Sequence, residues 1–87
     1  MQISVEISKY PLSEEYLKKV DDFLERLYQY QELKIQTNPI STQIFGESSI
    51  IFAALEKEII TSFEDGQRPF VLKILKGDLS DMEIKDY

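Results

Sequence analysis

Cysteine and histidine are both missing from this 87-residue sequence. Without cysteine the chain has no disulfide, no thiolate nucleophile and no zinc-thiolate site. Without histidine it lacks the commonest general base and the commonest metal ligand of proteins. Its serines and threonines have no imidazole to activate them. We therefore expect a protein that is not an enzyme and that uses neither a cofactor nor a metal.

Positive charge and long apolar runs are also scarce. The net charge is −6, and affinity for nucleic acid depends largely on Lys and Arg that neutralise phosphates. No stretch approaches the roughly 18 apolar residues of a membrane span. The N-terminal MQISVEIS alternates apolar and polar residues, unlike a signal peptide. We expect a cytoplasmic protein that binds neither nucleic acid nor membrane.

Four segments have the patterns of β-strands. Ile3, Val5 and Ile7 alternate with polar residues, which is typical of a strand with one buried face. Residues 33–38 and 41–46 predict a second and a third strand, joined at an Asn-Pro turn signal in a short antiparallel hairpin. Residues 70–75 predict a fourth strand.

Two further segments have the apolar spacing of helices. The first is expected to begin at Ser13 as its N-cap and to continue through Leu17 and Leu27. The second is expected to be capped by Ser48 or Ser49 and to stop at Gly66. Its predicted buried stripe consists of Phe52, Leu55, Ile59 and Phe63. The phenylalanines predicted to be core residues are Phe23, Phe52, Phe63 and Phe70.

The order strand, helix, strand, strand, helix, strand is typical of a ferredoxin-like βαββαβ sandwich of the α+β class. Right-handed crossovers place both helices on one face of a four-stranded antiparallel sheet. The first and third strands are then central neighbours. We predict a ferredoxin-like domain over residues 1–77 and an acidic C-terminal tail over residues 78–87.

The candidate ligand-binding residues carry hydrogen-bonding groups on or next to the two central strands. They are Glu6, Ser8, Tyr10, Asn38, Ser41, Thr42 and Gln43. Tyr10 follows the predicted first strand, next to Pro11, where its ring would cover an opening or pack at the edge of the sheet. Glu6 is the only acid of the set, and a carboxylate on a central strand needs water, a partner or a ligand.

Two registers remain open for the third strand. If Ile44 packs under the helices, Gln43 and Phe45 lie on the opposite, open face beside Glu6. If Phe45 is the core residue, Thr42 and Ile44 point outward instead. An ordinary solvated sheet face explains the same polar residues without any ligand. A cross-strand pair between Glu6 and a lysine at position 73 would then satisfy the carboxylate.

The segments ISVEISKYPL at 3–12 and TNPISTQIFGE at 37–47 resemble the YkoF-like thiamine-binding domain family. The resemblance implies a ferredoxin-like domain that forms homodimers or homotetramers through its sheets. It also implies non-catalytic binding of thiamine or its hydroxymethylpyrimidine precursor, as a carrier, buffer or sensor. The characterised ligand-binding form has two such domains in tandem, whereas this chain has one.

The chemistry of an aminopyrimidine suits these side chains. An amide such as Gln43 or Asn38 can pair with an amine and a neighbouring ring nitrogen, and Glu6 can accept from the amine. The cationic thiazolium half of thiamine suits an acidic surface. Two alternatives are a structural oligomerisation domain without a ligand and a regulatory domain that binds an amino acid through Lys34 or Lys73. Small size and apolar residues on the open face, such as Phe45 and Val71, also predict a homo-oligomer.

Overall fold

The computed structural model describes residues 1–8, 22–64, 66 and 69–81. Its elements in chain order are β1 (Gln2–Ser8), α1 (22–27), β2 (Lys34–Thr37), β3 (Ser41–Glu47), α2 (Ser48–Phe63) and β4 (Leu72–Lys76). The predicted cap at Ser13, the helical position Leu17 and the candidate ligand residue Tyr10 lie outside the described residues. Within these residues, no helix is long and apolar enough to cross a membrane.

The four strands form one antiparallel sheet in the order β2-β3-β1-β4. The first and third strands are central neighbours, as the sequence predicts. Together with the two helices, this sheet confirms the α+β ferredoxin-like architecture. The alternation in β1 has the expected consequence, because Ile3, Val5 and Ile7 are all buried.

The core lies between one face of the sheet and both helices. Val5 and Ile44 from the sheet belong to the same buried cluster as Leu27 from α1 and Ile51 from α2. Each of these four side chains is at most 1% exposed. The helices therefore share one face, and the other face of the sheet carries no helix among the described residues.

The predicted apolar stripe of α2 is wrong at two positions. Phe52 and Phe63 are 48% and 43% exposed, so they are not core residues. The helix buries Leu55, as predicted, together with Ile51, Ala54, Glu58 and Ser62. Small and polar side chains make up much of this buried face, and a search for large apolar residues passes over them. The ring of Phe63 still packs edge-on against Phe70, with 5.7 Å between the ring centroids.

The predicted start of α2 is also wrong, by one residue or two. The N-cap is Glu47, and its side chain makes no capping hydrogen bond. The carboxylate is instead engaged by the Met1 amino group and by Gln2 Nε2, the latter at 3.1 Å. Gly66 follows the end of the helix with a φ of 117°, a conformation that suits glycine, as predicted for the stop.

Candidate functional site

Strand pairing brings Glu6, Gln43 and Lys73 into one row across three strands. Glu6 is the Cα partner of Gln43 on β3 and of Lys73 on β4. Directly paired residues project from the same face of a sheet. Because Ile44 is fully buried under the helices, this row and Phe45 lie on the opposite face. The first of the two predicted registers is therefore the correct one.

A chain of hydrogen bonds runs along this row. Gln43 Nε2 donates to Ser41 Oγ at 2.6 Å, and Ser41 Oγ donates to Glu6 Oε2 at 3.2 Å. Lys73 Nζ lies 3.8 Å from Glu6 Oε1. This is the cross-strand pair that the sequence offers as an explanation of Glu6 without a ligand. The Lys73 side chain is 67% exposed, so the pair contributes little stability and its ammonium is easily displaced.

A cavity of about 230 Å³ opens beside the row. Its lining includes Glu6, Gln43, Phe45, Lys73 and Leu79. Carboxylate, amide and ammonium groups thus meet an aromatic ring and an aliphatic side chain. Sites for drug-sized ligands usually measure about 300–1,000 Å³, so this cavity is suited to one heterocyclic ring.

Two other predicted ligand residues lie away from this cavity. Asn38 holds the β2–β3 turn, since its Oδ1 accepts hydrogen bonds from the backbone amides of Ile40 and Ser41, both at 2.9 Å. Ser8 ends β1, and its backbone amide donates to the carbonyl of Val71 at 3.2 Å. Neither residue is part of the cavity lining.

The structure places Thr42 on the helix-facing side of the sheet, away from Glu6 and Gln43. Its side chain is 1% exposed, and its hydroxyl lies 3.3 Å from that of Thr37. The Thr37 hydroxyl in turn lies 3.1 Å from the Tyr28 phenol. Thr42 therefore belongs to a hydroxyl network under the sheet.

Replacing Thr42 by alanine is accordingly expected to affect stability and not ligand affinity. Loss of a buried hydroxyl and its hydrogen bond should lower the free energy of unfolding by about 1 kcal/mol. Urea denaturation measures this effect. A variant with unchanged stability and weakened ligand binding would contradict this placement of Thr42 and indicate that its side chain contacts the ligand.

A second polar cluster, which the sequence pattern did not reveal, joins the two helices. Glu58 is 4% exposed, and its Oε1 accepts from Arg26 Nε at 2.7 Å. Its Oε2 accepts from the Tyr30 hydroxyl, also at 2.7 Å. An Arg26 guanidinium nitrogen donates further to Ser62 Oγ at 2.9 Å. The only signal in the sequence is an acid within the second helix, with an arginine on the first helix and a tyrosine shortly after it.

Electrostatics hold this cluster in its charged form. Burial alone would raise the pKa of Glu58, but the hydrogen bonds from Tyr30 and Arg26 outweigh it, so the pKa is lowered. The same bond to Glu58, together with burial, raises the pKa of the Tyr30 phenol. A groove of about 480 Å³ runs past these residues. Because both Glu58 oxygens already have protein donors, the cluster is a clamp between helices.

No family model and no curated protein matches the sequence. A solved protein of Streptococcus pneumoniae matches with a TM-score of 0.76 and 18% identity, covering 94% of this chain and 93% of that one. The fold is shared. A hypothetical protein of Methanocaldococcus jannascii matches with a TM-score of 0.67 and 26% identity, covering 94% and 84%.

A putative thiamine biosynthesis/salvage protein of Thermotoga maritima also matches. Its TM-score is 0.67 at 21% identity, and the match covers 85% of this chain and 80% of that one. A domain of unknown function, DUF77, from Bacillus cereus has the same fold at 16% identity. The structural neighbours of this chain thus belong to the fold group of DUF77 and thiamine salvage-like proteins, at low sequence identity.

Proposed function

We propose that this chain is a non-catalytic binding protein for hydroxymethylpyrimidine or thiamine, acting as a carrier, buffer or sensor. The observation that carries the proposal is the hydrogen-bond chain from Gln43 through Ser41 to Glu6, which borders a cavity of about 230 Å³. The name of the Thermotoga maritima neighbour, a putative thiamine biosynthesis/salvage protein, supports the same ligand class.

The side chain of Gln43 is matched to an aminopyrimidine. One of its two N–H groups donates to Ser41, which leaves the second N–H and the carbonyl oxygen for a ligand. An aminopyrimidine has an amine donor beside a ring-nitrogen acceptor, the complement of an amide edge. Glu6 accepts from the amine, and Phe45 supplies aromatic surface for the ring.

The size and charge of the cavity distinguish the two ligands. The cavity of about 230 Å³ is smaller than the usual drug-sized site, so we expect the thiazolium half of thiamine to extend beyond it toward the acidic surface. A cationic ligand also competes with Lys73, whose ammonium lies 3.8 Å from Glu6. Hydroxymethylpyrimidine is neutral and does not compete with Lys73 for Glu6. We therefore propose the pyrimidine as the part that is recognised.

A thermal-shift panel tests this function against the alternatives. Hydroxymethylpyrimidine or thiamine, present at about 100 times its dissociation constant, should stabilise the chain by about 2.7 kcal/mol. Phosphorylated forms and a set of amino acids serve as comparisons. Stabilisation by an amino acid alone would favour the regulatory alternative. No response to any compound would favour a structural domain without a ligand.

We also propose that the chain forms a homodimer or homotetramer through its sheet. Ile74 and Leu75 on the outer strand β4, and Val71 just before it, are 49%, 43% and 50% exposed, and an apolar sheet edge favours association. Phe45 does not add to this surface, because it is only 6% exposed. Sedimentation should give at least twice the chain mass of 10.2 kDa. A monomer alone at micromolar concentration would contradict the proposal.

A further inference from the structure

The chain does not leave the sheet after β4 but turns back across its open face. Gly77 makes this turn with a φ of 88°, and its carbonyl accepts a hydrogen bond from Ser4 Oγ at 2.7 Å. The same hydroxyl accepts from the backbone amide of Leu79 at 3.0 Å. Two residues further on, Asp81 lies 3.5 Å from Lys34 Nζ on β2. Residues 77–81, here called the strap, thus pass from one edge strand toward the other.

The strap lies over two residues of the open face that are buried although no helix in the described part of the chain covers them. Ser4 and Phe45 are Cα partners on β1 and β3, and they are only 4% and 6% exposed. Lys34 is the partner of Phe45 on β2, so the strap follows this row of paired residues. Leu79, at the middle of the strap, lines the same cavity as Glu6 and Gln43. The cavity is therefore a space between the sheet and the strap.

We propose that the strap is one wall of the ligand cavity, with Leu79 contacting the bound ring and Ser4 holding the wall in position. This inference rests on the proposed function, since the ligand is the aminopyrimidine that Gln43 and Glu6 recognise. Leu79 and Phe45 both line the cavity, so a ring bound there would contact two apolar side chains. A wall that is already in place in the free protein lowers the ordering cost of binding.

The attachment of the strap depends mainly on Ser4. The ion pair at its far end joins side chains that are 51% and 94% exposed, and such surface pairs contribute little. The Ser4 hydroxyl, in contrast, is buried and makes two hydrogen bonds with the strap backbone. Replacing Ser4 by alanine removes both bonds. The strap then keeps the backbone hydrogen bond from Gly77 to the Gln2 carbonyl at its start, at 2.9 Å, and the exposed ion pair at its far end.

Hydrogen exchange of the backbone amides measures how firmly the strap is attached to the sheet, and it needs no ligand. The Leu79 amide donates to Ser4 Oγ at 3.0 Å, the bond that holds the middle of the strap to the sheet. In Ser4→Ala its protection should fall roughly tenfold, because the strap opens more often. The amide of Val5 in the core should keep its protection, which separates strap opening from global unfolding. Ser8→Ala, on the same strand and face, is the matched control and should change neither amide. Unchanged Leu79 protection in Ser4→Ala would overturn the role of Ser4.

Calorimetry with hydroxymethylpyrimidine tests the wall. Leu79→Ala keeps the backbone bond to Ser4 but removes the apolar contact, and it should weaken binding about tenfold. Ser4→Ala should weaken binding to a similar extent. If Gln43→Ala weakens binding while Leu79→Ala does not, the strap is not a wall of the ligand site. The proposed function is unaffected by that result. If the wild-type chain binds no hydroxymethylpyrimidine, the proposed function and the wall both fall.

Discussion

Replacement of Glu58 by alanine is expected to lower the free energy of unfolding by about 3 kcal/mol. Removing one partner of a buried ion pair usually costs roughly 3–5 kcal/mol, because the other charge stays buried without compensation. The Arg26 side chain is 33% exposed and regains some water, which places the expected effect at the lower end. Tyr30 also loses the acceptor of its hydroxyl.

Urea denaturation measures this loss, and two variants control it. Glu56→Ala removes an exposed acid of the same helix and should change stability by less than about 0.5 kcal/mol. Tyr30→Phe removes only the bond to Glu58 and should cost about 1 kcal/mol. It gives a readable result even if Glu58→Ala does not fold. Equal effects of Glu58→Ala and Glu56→Ala would contradict the clamp.

The clamp also predicts how stability depends on pH. The pKa of Glu58 is lowered in the folded chain, so its contribution is present above the unfolded glutamate pKa and is lost as pH falls through the folded value. The pKa of Tyr30 is raised, so its contribution is present below the unfolded tyrosine pKa and is lost as pH rises through the folded value. In Glu58→Gln the loss of stability on the acid side should be smaller than in the wild type.

Replacing Gln43 by alanine is expected to weaken binding of hydroxymethylpyrimidine by roughly five- to a hundredfold. A hydrogen-bonding group lost from a formed site costs about 1–3 kcal/mol, because its partner is left unsatisfied. Stability should change by less than about 0.5 kcal/mol, since Gln43 lies on the face away from the core. Isothermal titration calorimetry and urea denaturation together separate the two effects.

Gln36 provides the matched control for this variant. It is the Cα partner of Gln43 on β2 and is exposed, but it is not part of the cavity lining. Gln36→Ala should bind like the wild type. Glu6→Gln tests charge at nearly constant shape, and it should weaken thiamine more than the neutral pyrimidine alcohol. Equal affinities in Gln43→Ala, Glu6→Gln and the wild type would remove the cavity as the site.

The sheet could be predicted from the sequence because its signals are local. The alternation of Ile3, Val5 and Ile7 fixes which face of β1 is buried, and the short hairpin fixes the pairing of β2 with β3. The register of β3 could not be decided in advance, because Ile44 and Phe45 are both apolar and adjacent. Their burial resolves it: Ile44 is under the helices, and Phe45 is on the other face beneath the strap.

The parts that could not be predicted depend on contacts distant in sequence. From the sequence alone, Glu58 is expected to be a solvent-exposed helical acid. Its burial becomes apparent only when the fold places Arg26 and Tyr30 next to it. Thr42 and its neighbour Gln43 are equally good candidates for ligand binding until it is known which face of the sheet each side chain occupies. Leu79 lies in a segment that reads as an acidic tail, and only its bond to Ser4, 75 residues away, places it at the cavity.

An NMR titration of the isotope-labelled chain with hydroxymethylpyrimidine tests the central claim most directly. The account predicts that the backbone amides of Glu6, Gln43 and Leu79 shift together with one saturating dissociation constant. The amides of Gln29 and Lys57, beside the groove between the helices, should not shift. Shifts confined to that groove, or no shifts at any concentration, would contradict the claim that the open face of the sheet binds the ligand.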